Sequence, residues 1–299
     1  MGWPVQLIFL QAMYFVHATR LRFLDFAGIL AFNHVPRGLS QSIFAEAIVL
    51  GQMGAFGLLF AWLIRLLSAS CLVLKGGVFG GFCWFVIYAT ADLFKVKGIY
   101  GAVDFKTAVV NLLCSAIWGT VLGGAYLFLN RRYGLKSEKG ELKMGLKEAL
   151  RDRFTRGLMA GAIGWLPEII FTWVMFGLRL GRFKYSDIAG VLAWGFKPHG
   201  LWQELFAEFI MFGLLTTLGG IFSKLLKVIT ERNILIKGAI YGGSAWFIIY
   251  TVINLFKVKG VFGEIGFSTA VSNMVGALLW GLATGWALIV LKRGFGAEN

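Results

Sequence analysis

The chain has 299 residues, of which 58% are hydrophobic and only 15% are charged. This composition excludes an ordinary soluble domain and is typical of a protein with several membrane spans. The 29 lysines and arginines give a net charge of +14, but they lie at or between the ends of the apolar stretches. That position indicates topology signals and contacts with membrane lipids. Nucleic acid is not expected as a partner, because the sequence shows no basic groove with aromatic residues and no known binding motif.

One sequence unit occurs twice along the chain. The run LFKVKG at residues 93–98 recurs at 255–260, and QSIFAE at 41–46 resembles QELFAE at 203–208. Both pairs lie 162 positions apart, and so does almost everything between Arg20 and Arg131. That stretch aligns with its second copy without a gap at roughly 40% identity. The expected domains are a first repeat, a linker and a second repeat, at residues 1–130, 131–156 and 157–299.

Four membrane spans are predicted in each repeat, because apolar stretches of about 20 residues can cross a hydrocarbon core as helices. The spans are expected at residues 3–18, 42–67, 72–94 and 106–129, and again at 157–178, 204–229, 234–256 and 268–291. Since four is even, both repeats enter the membrane in the same direction. The expected fold class is an all-α membrane protein with two parallel four-helix repeats, about eight spans, related by a pseudo-twofold axis along the membrane normal.

The first span is shorter than the others, at about 16 residues. Nothing before Trp3 corresponds to residues 153–163. Three explanations stay open: a short span that thins the bilayer, a re-entrant segment, or a start codon assigned too late.

The distribution of basic residues predicts the orientation. The linker is rich in lysine and arginine, whereas fewer basic residues occupy the opposite face. That face holds Arg20, Arg22, Arg37, Lys95, Lys97, Lys106 and their second-repeat counterparts. The positive-inside rule therefore predicts a multi-pass protein with both termini in the cytoplasm.

Within the linker, apolar residues recur every four positions, at Leu142, Leu146, Leu150 and Phe154. This spacing predicts an amphipathic helix along the anionic cytoplasmic surface. A plain solvated linker is the alternative.

Glycines at four-residue spacing are predicted to form the helix-packing surfaces. Gly76 and Gly80 lie in the third span, and Gly238 and Gly242 lie at the same positions of the second repeat. Small residues four apart allow membrane helices to approach closely. We expect these positions to serve packing rather than ligand binding.

Polar residues inside the spans are the candidate functional residues, because a charge in the membrane is costly. Glu46 and Glu208 occupy the same position of the repeat, each after a Pro-x-Gly-Leu-x-Gln lead. Each is either a functional acid or an acid near a helix start that reaches the headgroups. Their suggested partners are the loop lysines Lys95, Lys97, Lys257 and Lys259.

Asn111 and Asn273 are also matched between the repeats, and we expect them to form hydrogen bonds between helices.

Catalytic, metal-binding and cofactor-binding motifs are absent from the sequence. It contains no His-Glu-x-x-His, no Gly-x-Ser-x-Gly, no phosphate-binding glycine loop and no Cys-x-x-Cys. The three cysteines and three histidines are not matched between the repeats. We therefore expect no enzyme activity, no metal and no cofactor.

The segment from Lys237 to Trp246, followed by Asn254, and the glycine-containing helix from Thr269 to Trp286 resemble the YqhR family of conserved membrane proteins. The resemblance implies that each repeat is one four-span unit of that family and that the protein lies in a bacterial inner membrane. The family often continues Asn-Pro where this chain has Asn254-Leu255. It implies no known activity.

Two functions fit these features. A non-catalytic scaffold or accessory subunit, with lipid or a membrane-protein partner docked on its helices, is favoured by the missing chemistry and the glycine packing. The alternative is a transporter or permeation unit for a small solute, ion or lipid, with Glu46 and Glu208 at the repeat interface.

Overall fold

The computed structural model describes residues 2–67, 71–132, 152–229 and 231–295. Within these ranges the chain is entirely helical, with ten helices and no strand. The first five helices are α1 (Gly2–Phe15), α2 (Phe23–Phe32), α3 (Gly38–Leu67), α4 (Leu72–Leu93) and α5 (Phe105–Arg132). The other five are α6 (Arg153–Gly177), α7 (Tyr185–Trp194), α8 (Leu201–Ile229), α9 (Ile234–Leu255) and α10 (Phe267–Phe295).

Seven of the described helices are long and apolar enough to cross a membrane, which is the architecture of a multi-pass membrane protein. They are α3, α4, α5, α6, α8, α9 and α10. Every span expected from the sequence coincides with a helix, because a long apolar stretch has no favourable membrane conformation other than the helix. The exception in length is α1, whose 14 residues fall short of the usual span.

Two short helices, α2 and α7, were not expected from the sequence. Each has ten residues, about 15 Å of helix, which is half of a hydrocarbon core. Both begin with the same local hydrogen bond: the backbone N–H of Arg22 donates to Asp25 at 2.7 Å, and that of Lys184 donates to Asp187 at 2.9 Å. A carboxylate three residues into a helix that accepts from the preceding backbone N–H is one half of a capping box.

The described helices form two compact units. The first contains α1 to α5 together with residues 192–195, which include the end of α7. The second contains α6, the remainder of α7, and α8 to α10. In the first unit, α4 and α5 approach so closely that a Cβ on Gly80 would lie 2.0 Å from the carbonyl oxygen of Ser115. A Cβ on Gly76 would lie 2.1 Å from the carbonyl oxygen of Gly119. Only glycine permits this contact. Beside this contact is a core cluster formed by Phe60, Ile64, Leu72, Phe79, Cys83 and Trp118.

The second unit has the same kind of contact between α9 and α10. Built Cβ atoms on Gly238 and Gly242 would lie 2.2 Å and 2.1 Å from the carbonyl oxygens of Gly281 and Ala277. Helix α6 packs against both α8 and α10. A core cluster between these three helices is formed by Ala160, Phe222, Leu226, Ala287, Leu288 and Leu291.

Most of the linker, including Leu142, Leu146 and Leu150, lies outside the described residues, so its amphipathic helix stays a prediction. The described chain resumes at Asp152, whose side chain accepts from the backbone N–H of Thr155 at 2.9 Å and caps the start of α6. Phe154 is buried in the first turn of that helix.

Candidate functional site

The first unit contains a charged cluster where α1, α2 and α3 meet, formed by Gln11, Tyr14, Arg22, Asp25 and Glu46. The guanidinium group of Arg22 donates to both carboxylate oxygens of Asp25, at 3.1 and 3.0 Å. It also donates to the side-chain oxygen of Gln11 at 2.9 Å and lies 4.1 Å from the centre of the Tyr14 ring. Asp25 is only 1% exposed. The cation is therefore held by a buried acid, an amide and an aromatic face together.

A cavity of about 10 Å³ lies within this cluster, with room for about one water molecule. It is lined by Gln6, Leu7, Leu10, Gln11, Arg22, Phe23, Leu24, Glu46 and Val49. The side-chain oxygen of Gln6 is shielded from solvent and accepts no hydrogen bond from the described residues. Glu46 thus faces the same cavity as a cation and an unsatisfied amide oxygen. The loop lysines Lys95 and Lys97 do not line this cavity.

The second unit contains a corresponding charged cluster of Trp173, Lys184, Asp187, Glu204 and Glu208. Lys184 is 2% exposed, and its ammonium group donates to Glu204 at 3.2 Å. The same ammonium lies 3.6 Å from the centre of the Trp173 ring, and the indole N–H of Trp173 donates to Glu208 at 3.1 Å. One aromatic side chain therefore connects the buried cation to the carboxylate within the span.

Glu168 adds a further carboxylate inside the second unit. It lies in α6, is 3% exposed, and accepts a hydrogen bond from the hydroxyl of Thr172 at 2.9 Å. The equivalent residue in the first unit is Gln6, which is also 3% exposed. The second unit therefore keeps one more ionisable group in its interior than the first at this position.

Three charged positions of the two clusters are separated by the same 162 residues. Arg22 corresponds to Lys184, Asp25 to Asp187, and Glu46 to Glu208. Tyr14 corresponds to Phe176, whose ring centre lies 4.9 Å from the Lys184 ammonium, and the nearer ring of Trp173 takes the position of Gln11. In both clusters the helix-start acid accepts from the backbone N–H of the matched basic residue. The side-chain pairing differs, because Arg22 pairs with Asp25, whereas Lys184 pairs with Glu204 and Asp187 pairs with Lys197 at 3.2 Å.

The loops before α2 and α7 are also tied down in the same way. The backbone N–H of Arg20 donates to the hydroxyl of Thr107 at 2.9 Å, and that of Arg182 donates to Thr269 at 2.9 Å. Both threonines are fully buried. These bonds hold the start of each short helix against α5 or α10, which positions the adjacent cation.

The matched asparagines connect neighbouring helices inside each unit. Asn111 on α5 donates to the hydroxyl of Tyr88 on α4 at 2.6 Å and to the backbone oxygen of Leu21 at 3.1 Å. Asn273 on α10 donates to the hydroxyl of Tyr250 on α9 at 3.0 Å. The sequence-predicted asparagines thus bond helix to helix.

Sequence reasoning missed the central part of both clusters. Arg22 and its counterpart Lys184 were interpreted only as charges that set topology, because they follow a span. The signal that could have identified them is an aspartate three residues further on in both repeats, Asp25 and Asp187. That spacing is typical of a helix start, and it indicates a second, short helix rather than a loop.

The chemistry available to these clusters is ionic. Among the described residues, no group of three histidine, cysteine or acidic side chains could hold a metal ion. The first cluster has room for a water molecule. Either cluster can bind a proton on a carboxylate or clamp one helix to another through an ion pair. No family model, no curated protein and no solved structure matches this chain.

Proposed function

We propose that this protein is a non-catalytic membrane scaffold or accessory subunit. The observation that supports this role is that the buried charges are engaged inside their own units. Arg22 is bound to Asp25, Lys184 to Glu204, and Glu208 to Trp173. The cavity within the first cluster is about 10 Å³, the size of a single water molecule.

Such ion pairs act as clamps. Taking two charges out of water is costly, and a buried pair adds little net stability over an apolar pair of the same shape. It does discriminate strongly between correct and incorrect positions, because a displaced cation would leave a carboxylate unpaired in a medium of low dielectric. We therefore assign the clusters the role of fixing α2 and α7 against the long helices of their own units.

The surface offered to partners is the outside of the long helices. Large apolar side chains are exposed along α3 and α8, among them Leu58, Trp62, Trp202 and Phe209. In a membrane protein such side chains face lipid or the helix of another protein. Membrane lipids and a membrane-protein partner are accordingly the ligands that we propose.

Transport or permeation of a small solute, ion or lipid is the second candidate function. It is favoured by the paired positions of Glu46 and Glu208 and by the additional buried carboxylate of Glu168. Intramembrane acids beside a cation are a common arrangement in proton-coupled transporters. In this alternative, the carboxylates would take up and release protons or cations during turnover.

Reconstitution separates the two functions. The purified chain is placed in vesicles that contain a pH-sensitive dye, and proton flux is measured under a membrane potential. The scaffold proposal expects flux equal to that of protein-free vesicles, for wild type and for the Glu46→Gln, Glu208→Gln double variant alike. Wild-type flux above the protein-free level would favour transport if the double variant loses that flux and keeps the wild-type melting temperature. This result would overturn the scaffold proposal.

A cellular measurement completes the test. In a deletion strain, the double variant expressed at the wild-type level should restore the wild-type phenotype, because the scaffold does not require carboxylate protonation. Failure of the folded variant to restore it would contradict the proposal.

We also propose that the two units are copies of one four-span unit similar to the YqhR family, parallel in a bacterial inner membrane with both termini in the cytoplasm. The matched clusters and the repeated runs at 93–98 and 255–260 support this origin. The pseudo-twofold axis is part of the same proposal.

A further inference from the structure

One end of the second unit contains a basic cleft that lies away from the charged clusters. It occurs where α6 begins, where α8 and α10 end, and where Glu231 joins α8 to α9. Its volume is about 30 Å³. The cleft is lined by Arg153, Arg156, Ser223, Leu226, Glu231, Ile234, Leu288 and Lys292.

Two of the three cations in the basic cleft share one acid. Arg153 donates to one carboxylate oxygen of Glu231, and Lys292 donates to the other. Arg153 also donates from Nε to the backbone oxygen of Ser223 at 2.7 Å. The third cation, Arg156, has a guanidinium nitrogen, Nη1, that is shielded from solvent and has no hydrogen-bond partner in the described chain. The cleft therefore offers a guanidinium donor that the described residues do not satisfy.

The charge balance of the cleft favours an anion. Three cations face Glu231 and the capping carboxylate of Asp152, which already accepts from the N–H and the hydroxyl of Thr155. The first turn of α6 contains no acidic residue and two arginines. Positive charge is unfavourable there, because the N-terminal end of a helix is itself positive. A bound anion would relieve this repulsion and accept the free donor of Arg156.

The length of α6 is compatible with a position of the basic cleft at the depth of lipid headgroups. Helix α6 has 25 residues, about 37 Å at 1.5 Å per residue, which exceeds a hydrocarbon core of about 30 Å. The first turn, with Arg153 and Arg156, therefore extends into the headgroup layer if the apolar part of α6 spans the core. Lipid phosphates occupy that layer, and anionic lipids are concentrated on the cytoplasmic side, the side on which the charge pattern predicts this end of α6.

The first unit provides an internal contrast. The positions that correspond to Ser223, Glu231 and Lys292 are Ala61, Ala69 and Asn130. The basic cleft is thus specific to one unit, which separates it from the shared features that build the fold.

We propose that the basic cleft binds the phosphate group of an anionic phospholipid. The phosphate oxygens accept hydrogen bonds from Arg156. They also accept from Arg153 and Lys292 once these two side chains leave Glu231. Glu231 occupies the cations when no lipid is bound and competes with the phosphate for them. The acyl chains then lie along the apolar surface beside α6.

Binding is tested with the full-length protein in detergent micelles, by the shift of the melting temperature as short-chain probes are added. The probes are dihexanoyl-phosphatidylglycerol, dihexanoyl-phosphatidylcholine and inorganic phosphate. We expect phosphatidylglycerol to raise the melting temperature saturably and phosphatidylcholine not to do so. A saturable rise with inorganic phosphate at the same concentrations would show a free-phosphate site and overturn the lipid assignment.

Three variants make the test specific. Arg156→Gln should weaken phosphatidylglycerol binding about tenfold, because it removes a charge-assisted donor, and Lys292→Gln should act in the same direction. Arg293→Gln, an exposed neighbour that does not line the cleft, should bind like wild type. Glu231→Gln should bind more tightly than wild type, because the competing carboxylate is gone.

The proposal is overturned if Arg156→Gln and Lys292→Gln both bind like wild type. Equal loss of binding in Arg293→Gln would overturn it too, since the effect would then be general surface charge. Weaker binding by a folded Glu231→Gln variant would contradict the competition between carboxylate and phosphate.

Discussion

The ammonium group of Lys184 lies 3.6 Å from the centre of the Trp173 ring, and Lys184 is only 2% exposed. The face of an indole attracts a cation electrostatically, and the attraction is stronger where water is excluded. The indole N–H of the same ring donates to Glu208 at 3.1 Å. One side chain thus stabilises a cation with its face and a carboxylate with its edge.

Replacement of Lys184 by Met should lower the free energy of unfolding by about 3 kcal/mol, because it leaves Glu204 without the cation to which it is paired. The figure lies at the low end for a broken buried pair, since Glu204 is partly exposed. Denaturant titration in detergent micelles measures the change. Lys259→Met, at an exposed position, is the control and should be close to neutral. Adding Glu204→Gln to Lys184→Met should restore part of the loss, and an absence of any such coupling would contradict the pairing.

The glycine contacts give a prediction with a control in the same helix. Gly80→Ala and Gly242→Ala should each lower the free energy of unfolding by about 1–3 kcal/mol, because the new methyl group would overlap a carbonyl oxygen of the facing helix. At Gly81 a Cβ would lie 3.7 Å from the Leu112 side chain, an ordinary contact. Gly81→Ala should therefore be neutral or stabilising by up to about 1 kcal/mol. Equal melting temperatures for Gly80→Ala and Gly81→Ala would contradict the close contact.

The long helices could be predicted from the sequence, and the short ones could not. A stretch such as α3 or α8 contains enough consecutive apolar residues to determine its conformation in a membrane without reference to any neighbour. The ten residues of α2 do not determine their conformation in this way, since they are apolar but too few to span a membrane, and they follow two arginines. Their helix depends on Asp25 at its start and on packing against α3. Only the first of these can be read from the sequence.

The candidate site was predicted in part for the same reason. Glu46 and Glu208 stand out in the sequence because an acid within an apolar run is unusual. Their cationic neighbours do not, because Arg22 and Lys184 occur between helices, where basic residues are common. The sequence pointed instead to lysines of a more distant loop. The fold brings a cation to each carboxylate through a reversal of the chain, and that reversal has no strong periodic signal.

The two asparagines should differ in their contribution to stability. Asn111 donates to both Tyr88 and the backbone of Leu21, whereas the side chain of Asn273 donates to Tyr250. Asn111→Ala should therefore lower the free energy of unfolding by about 1 kcal/mol more than Asn273→Ala, the net contribution of one further buried hydrogen bond. Tyr88→Phe should be coupled to Asn111→Ala in a double-mutant cycle, and Tyr250→Phe should not. The reverse order of the two asparagine variants would contradict the geometry.

Stability should depend on pH through Glu231. The hydrogen bond from Lys292 holds the pKa of the Glu231 carboxyl below its ordinary value of 4.5, with the charge of Arg153 acting in the same direction and burial opposing them. A carboxyl whose pKa is lowered on folding stabilises the folded state above its unfolded pKa, and this stabilisation is lost as the pH falls through the folded pKa. The difference in unfolding free energy between wild type and Glu231→Gln should thus be constant between pH 7 and pH 6 and shrink below about pH 4.5.

Melting curves in detergent at a series of pH values measure this difference. Because Lys292 is 58% exposed, salt should reduce the effect at neutral pH. A difference that grows as the pH falls would show that the carboxyl is not stabilised in its charged form.

The final prediction concerns the side of the membrane on which the loops lie. Helix α5 has 28 residues, about 42 Å of helix, so it should cross the bilayer once between Lys97 and Ser137. Cysteines placed at these two positions, in a chain whose three native cysteines are replaced by alanine, should react with a membrane-impermeant maleimide from opposite sides. Between Ser137 and Lys259 the chain passes through α6, α8 and α9, three helices of span length. An odd number of crossings places Lys259 on the side of Lys97, and the basic linker predicts that this side is not the cytoplasm. Labelling of Lys259→Cys from the same side as Ser137→Cys would show that one of these three helices does not span.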